Sequence, residues 1–170
     1  MRKIQETLPA QSTTTQDIMY IAFELSNSTW RLAFSDSNKK RHVTIKARDL
    51  KQLEIETAKA KKRFGLKDDI QIKSCYEAGR DGFWIHRYLL SKGIDNLVVD
   101  SSSIEVNRRK RRAKSDRLDA ENLLRLLIRY HGDERQVWKV ITAPTVEEED
   151  ARRLHREQLF TVGGALYIKN

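Results

Sequence analysis

Residues 18 to 25, Ile-Met-Tyr-Ile-Ala-Phe-Glu-Leu, form an apolar run broken only by Glu24 near its end. A run of this kind is expected of a strand buried on both faces. The polar turn Ser26-Asn27-Ser28 leads into Thr29 to Ser35, where Trp30, Leu32 and Phe34 share one parity. After Ser37-Asn38-Lys39-Lys40, residues His42 to Lys46 supply a third strand. Three strands joined by short polar turns predict an antiparallel meander.

The period then changes. Asp49 and Gln52 form a variant capping box, and Leu50, Leu53, Thr57, Ala60 and Phe64 make a helical stripe ending at Gly65. Ile70, Ile72 and Ser74 alternate with polar neighbours in a fourth strand that runs out through Tyr76-Glu77-Ala78-Gly79. Asp81 is placed to cap a second helix carrying Trp84, Ile85, Tyr88 and Leu89, with Gly93 as its stop. Ile94 to Val99 is a fifth strand, followed by Asp100 and three serines.

Ser115 is a good N-cap, and Leu118, Leu123, Leu124, Leu126, Leu127 and Tyr130 predict a third helix over about 115–130. Gln136 to Ile141 suits a short strand, and Thr145 with Glu148 a capping box for a charged helix to about Phe160. The order strand-strand-strand-helix-strand-helix-strand-helix predicts an α/β protein with a mixed sheet, flanking helices and an added C-terminal helix. Ribonuclease H-like folds have this order. The expected organisation is a polar tail over 1–17, a domain over 18–142, and a C-terminal helix and tail over 143–170.

With 170 residues, 39% hydrophobic and 34% charged, the chain has the composition of one globular domain. Its net charge of +9 favours an anionic partner, and nucleic acid is the usual one for a basic chain of this size. No apolar run approaches the roughly 18 residues of a spanning helix, so no membrane partner is expected. The first sixteen residues show no signal-peptide pattern, and the single Cys75 fits a reducing cytoplasm.

The candidate chemistry centres on Lys114-Ser115-Asp116-Arg117-Leu118-Asp119-Ala120, into which runs a stretch with six cations in the seven positions Arg108 to Lys114. On a helix Asp116 and Asp119 share a face. First-turn acids also suit the helix dipole without any metal, and a charge run is commonly a solvated surface. Further acids stand at strand exits, Glu24 and Glu77. In the expected sheet the first strand is central with the fourth beside it, so four acids from three elements would converge. Such a cluster needs cations, and two magnesium ions suit hard carboxylate oxygens. Arg108, Arg109, Lys110, Arg111, Arg112, Lys114 and Arg117 would grip a phosphate backbone. His42, His86, His131 and His155 lack ligand spacing and read as surface or helix-end residues. Trp30 and Trp84 read as core, Ser101 to Ser103 as a turn, and Cys75 as a small strand residue.

The segments Tyr76-Glu77-Ala78-Gly79, Asn96 to Asp100 and Lys114 to Ala120 resemble the N-terminal domain of DEDD-type insertion-sequence transposases, the family that includes the Piv pilin-gene invertases. That domain is similar to the RuvC resolvase. The resemblance spans roughly 18–160, with Lys-Ser-Asp-Arg-Leu-Asp-Ala its most specific part. It implies a RuvC-like domain with the acidic tetrad Glu24, Glu77, Asp116 and Asp119 holding Mg2+ or Mn2+. It also implies DNA as partner, at transposon ends and target, a guide RNA, and homo-oligomers. Two features depart from the family. Glutamate stands at position 24 in place of aspartate, which extends the carboxylate by about 1.5 Å. The family's C-terminal domain, with its serine, is not present, so a truncated gene product is expected. Two expectations follow: a metal-dependent DNA nuclease or recombinase domain, or a catalytically silent nucleic-acid-binding remnant. An actin-like kinase half shares the strand order but would need glycine-rich phosphate loops, which are not found.

Overall fold

Strand β1 (Ile18–Leu25) lies inside a six-stranded mixed sheet of order β3-β2-β1-β4-β5-β6. The computed structural model describes residues 17–79, 83–104 and 120–151. The meander is formed by β1, β2 (Thr29–Ser35) and β3 (Lys40–Lys46), all antiparallel. β4 (Gln71–Glu77) and β5 (Ile94–Val99) continue the sheet in parallel with β1, and β6 (Val140–Ile141) closes it antiparallel to β5. The mixed sheet with flanking helices is the expected α/β class and is compatible with a ribonuclease H-like fold.

Alternation along β1 explains why both faces must be covered, since successive side chains point to opposite sides of the sheet. Met19, Ile21 and Phe23 enter one core with Trp30, Leu32 and Phe34 of β2 and Ile72 and Tyr76 of β4. Helices α1 (Leu50–Phe64) and α2 (Trp84–Ser91) cover that face through Leu53, Ala60, Phe64, Ile85 and Leu89. Tyr20 and Ala22 enter a second core with Cys75 and Val99, covered by α3 (Ala120–His131) through Leu123, Leu124, Leu126 and Leu127. Each core residue of β1 is thus out of water on its own side.

Local signals account for the element ends. Asp49 accepts from the Gln52 amide at 2.9 Å and caps α1, but the expected capping box forms by only that half. The Gln52 side chain donates to Glu56 at 2.9 Å instead. Gly65, with φ of 75°, ends α1 as its left-handed cap, and the Leu66 amide reaches back to the Lys61 carbonyl at 3.0 Å. Thr145 and Glu148 exchange bonds of 3.0 and 3.2 Å, the predicted capping box, and residues 146–151 are helical. Arg87 of α2 holds this segment through the Pro144 carbonyl and Glu149. Within the expected strand over 136–141, residues Arg135–Val137 form a 3-10 turn and only Val140–Ile141 pair. Asp81, Ser115, Leu118, residues 1–16 and residues 152–170 lie outside the described residues.

Glu56 departs from the predicted apolar stripe of α1. It is 3% exposed, yet it accepts from Arg41 of β3 as well as from Lys59 and Gln52. The hydrogen bonds from Lys59 and Arg41 hold its carboxyl below the usual carboxylate range. Buried charge of this kind persists only when paired. At the far side of the sheet, His131 ends α3 beside Tyr20, and Lys73 lies 3.1 Å from its Nδ1. Burial first, and then the Lys73 ammonium, push its pKa down to about 4.

Two outcomes are expected. Glu56→Gln should lower unfolding free energy by about 2 kcal/mol near neutral pH, the scale of a charged hydrogen bond. The Glu56 pKa is depressed on folding, so its stabilisation is present above the unfolded value and fades as pH falls through the folded one. Urea titrations of both forms at neutral and acidic pH should therefore converge on the acid side. The His131 ring, whose folded pKa is also depressed, should stay neutral in the folded state from pH 6.5 down to about 4. It should accordingly contribute a loss of stability as pH falls through that window, because the unfolded state takes up the proton first. An NMR titration of the ring proton resonance measures the midpoint directly, and a midpoint at the ordinary value would refute this packing.

Candidate functional site

The β1–β4 register runs from Ile18↔Gln71 to Phe23↔Tyr76, and the same offset carries Glu24 to Glu77 in the next row. Phe23 and Tyr76 both belong to the core under α1 and α2. By alternation Glu24 and Glu77 take the opposite face, the one on which α3 packs. Neighbouring strands are about 4.8 Å apart, so the two acids occupy adjacent positions at the exits of two parallel strands.

The α3 helix brings its first turn to the same place. Ala120 and Glu121 line a hollow together with Glu24, Arg31, His42 and Thr44. The opposite end of α3 meets Tyr20, near the start of β1, through His131. The helix therefore runs against the direction of β1 with its described start, Ala120, near Glu24, held by the leucines of its buried stripe. Of the four acids expected to converge, Glu24 and Glu77 are neighbours in the sheet. Asp116 and Asp119 lie outside the described residues, as do Arg108, Arg109, Lys110, Arg111, Arg112, Lys114 and Arg117. Among the described residues no group of three or more His, Cys, Asp or Glu is placed to hold a metal ion.

The Glu24 side chain is 19% exposed and pairs at 3.5 Å with Arg31, whose own side chain is 64% exposed. Glu24 Oε2 is buried and accepts no hydrogen bond among the described residues. Arg31 is the site residue that sequence reading passes over. It faces Glu24 because the hairpin over Ser26 to Ser28 fixes Leu25↔Trp30 and Glu24↔Arg31. Its signal was the polar parity of β2, opposite to Trp30, Leu32 and Phe34. Glu121 is a second unforeseen acid. It pairs with Lys40 at 3.0 Å and lies 3.9 Å from His42, and Lys40 holds its carboxyl below the ordinary range.

Other candidates resolve into structural roles. Ser101–Ser103 form a 3-10 turn, with Ser102 donating to Asp100 through its amide and its hydroxyl. Cys75 is fully buried, and burial pushes its thiol pKa up, away from the thiolate. Trp30 is in the core, with the half-buried Trp84 ring 5.9 Å away. His42 is exposed and His131 ends a helix, as expected, but His86 does neither. It sits within α2 with its Nδ1 2.9 Å from the amide of buried Asn96, which in turn accepts from Ser74 at 2.7 Å. His155 lies outside the described residues. No described helix is long and apolar enough to cross a membrane.

No family model matches the chain. It is 37% identical over 145 residues to a protein of Sinorhizobium fredii (strain NBRC 101917 / NGR234) named "Putative transposase y4rJ", an alignment covering 82% of this chain and 37% of that protein. It is 29% identical over 109 residues to the transposase for insertion sequence element IS1533 of Leptospira borgpetersenii, covering 64% of this chain and 30% of that protein. The chain thus spans about a third of the length of the curated relatives it matches. Over most of its own length it is a relative of bacterial insertion-sequence transposases.

Proposed function

We propose that this chain is the part of an insertion-sequence transposase, of the DEDD type with a RuvC-like sheet, that binds DNA and cleaves phosphodiester bonds with divalent metal ions. The observation that carries the reading is the meeting of three elements at the exit of β1. Glu24 and Glu77 are neighbours there, and the hollow beside Glu24 is lined by Ala120, one peptide bond from Asp119.

The residues present suit a hard cation. Carboxylate oxygens are the ligands that magnesium and manganese prefer, and Glu24 Oε2 is buried and accepts no hydrogen bond among the described residues, a state that a cation would relieve. Glu24, Glu77, Asp116 and Asp119 would hold Mg2+ or Mn2+. When bound, such ions supply Lewis-acid activation of the nucleophile and neutralise charge at the leaving oxygen. The chain's own cations, Arg108 to Arg112 with Lys114 and Arg117, would hold the phosphate backbone in register without reading bases. Self-association and a guide RNA rest on the family resemblance alone.

One observation favours the second reading, a DNA-binding protein without catalysis. The Arg31 guanidinium already faces Glu24, so that acid is neutralised without any metal. Nicking of duplex and branched DNA in magnesium separates the readings. The catalytic reading expects cleavage that disappears in EDTA and falls in Asp116→Ala by more than the roughly 10- to 100-fold that outer-shell partners of a metal site cost. It also expects magnesium at a hundredfold excess over its dissociation constant to stabilise the fold by about 3 kcal/mol. Cleavage unchanged in Asp116→Ala defeats the proposal. DNA binding that persists in EDTA, with neither cleavage nor magnesium stabilisation, establishes the silent reading.

A further inference from the structure

Among the described residues, the outer face of the β2–β3 ribbon is largely exposed and carries three cations. Trp30, Leu32, Phe34 and Ile45 turn into the core beneath α1 and α2. Alternation therefore sends Arg31, Lys40, His42, Thr44 and Lys46 to the opposite face, and all five are exposed. α3 shields Ala33 on this face and reaches β3 through Glu121, which pairs with Lys40 at 3.0 Å and lies 3.9 Å from His42. Neither strand contains an acidic residue.

The five side chains are ordered along the sheet. Arg31 pairs with Thr44, Ala33 with His42, Ser35 with Lys40 and Thr29 with Lys46. Alternate residues of a strand are about 6.6 to 6.8 Å apart, so Lys40 to Lys46 makes a line of donors on the order of 20 Å long. Arg31 joins this line to Glu24 in the same cross-sheet row, and His42 and Thr44 border the hollow that contains Glu24 and the start of α3. Lysine, arginine and threonine are the side chains that contact phosphate and sugar without reading bases.

We propose that this face is a backbone-binding track for DNA, built from other residues than the Arg108 to Lys114 run, which leads a strand to the exit of β1. It builds on the DNA-binding half of the reading above and does not require the metal. Charge complementarity selects the partner: Arg31, Lys40 and Lys46 stand on strands without acids, and Arg31 and Lys40, though paired with Glu24 and Glu121 of neighbouring elements, are exposed, so their pairing is screened and exchangeable and the strip, on a chain of net charge +9, fits a polyanion. Lysines on an edge strand also discourage strand-to-strand aggregation, a role that needs no DNA. Salt dependence separates the two roles.

The test is binding of a fluorescein-labelled DNA duplex to the full chain in EDTA, followed by anisotropy over a range of salt. Lys40→Gln combined with Lys46→Gln should weaken binding several-fold and lower the slope of log affinity against log salt by about 1.8, at about 0.9 per phosphate contact. Lys40→Arg with Lys46→Arg should restore it. A control pair, Lys62→Gln with Lys67→Gln on exposed positions of α1 and the loop after it, should leave the slope unchanged. Circular dichroism confirms that each variant is folded. The track is overturned if the Lys40 and Lys46 pair leaves the slope intact, or if the control pair lowers it equally. Failure of magnesium-dependent nicking would sink the cleavage reading while leaving this measurement standing.

Discussion

The parallel register of β1 and β4 is the constraint on which the rest depends. A slip of one residue in either strand would invert every side chain, sending Phe23 or Tyr76 to the α3 face and one of the glutamates into the apolar core under α1 and α2. Burial of Met19, Ile21 and Phe23 on one side, and Tyr20 and Ala22 on the other, makes that slip prohibitive. The same packing that stabilises the sheet sets Glu24 beside Glu77.

That arrangement has an electrostatic cost. Two carboxylates about 5 Å apart repel by on the order of 3 kcal/mol at an effective dielectric constant of about 20. Solvent reduces this at the half-buried strand exits, and the Arg31 guanidinium at 3.5 Å from Glu24 offsets it further. Arg31 is largely exposed, so its attraction is screened and exchangeable. The leucines of α3 hold the helix start at this spot irrespective of charge, because Leu123, Leu124, Leu126 and Leu127 are all buried. Geometry is thus fixed by apolar packing, and charge is left free to respond to a ligand.

Much of the fold was legible because its signals are local. The unbroken run of β1, the parity of Trp30, Leu32 and Phe34, Asp49 ahead of Gln52 and Gly65 at a helix end each need only a few neighbouring residues to interpret. Elements that depend on distant partners were harder. Glu56 is absent from the apolar stripe of α1, and its burial depends on Arg41, fifteen residues earlier and on another element. His86 looked exposed because its partner Asn96 belongs to another layer. The pairing of Glu24 with Glu77 needed a sheet order, which strand sequence supplied. The place of Arg31 depends on the hairpin register across Ser26 to Ser28, which is a property of two strands together. Asp116 and Asp119 were recognised by local sequence, and the described residues reach only to the helix that follows them.

Glutamate at position 24, where the DEDD-type resemblance implies an aspartate, can be related to this geometry. One additional methylene extends the carboxylate about 1.5 Å from the backbone, while a working site holds its ligands to about 0.5 Å. A longer side chain can meet that tolerance only if something other than the backbone restrains it. Glu24 has two such restraints: it is mostly buried, at a hollow that the start of α3 also lines, and it faces Arg31 across the β1–β2 ladder. The arginine that neutralises the acid therefore also limits where its longer side chain can go. An aspartate at this position, with its shorter reach toward β2, would depend less on that pairing, so the identities of residues 24 and 31 are coupled through the hairpin register.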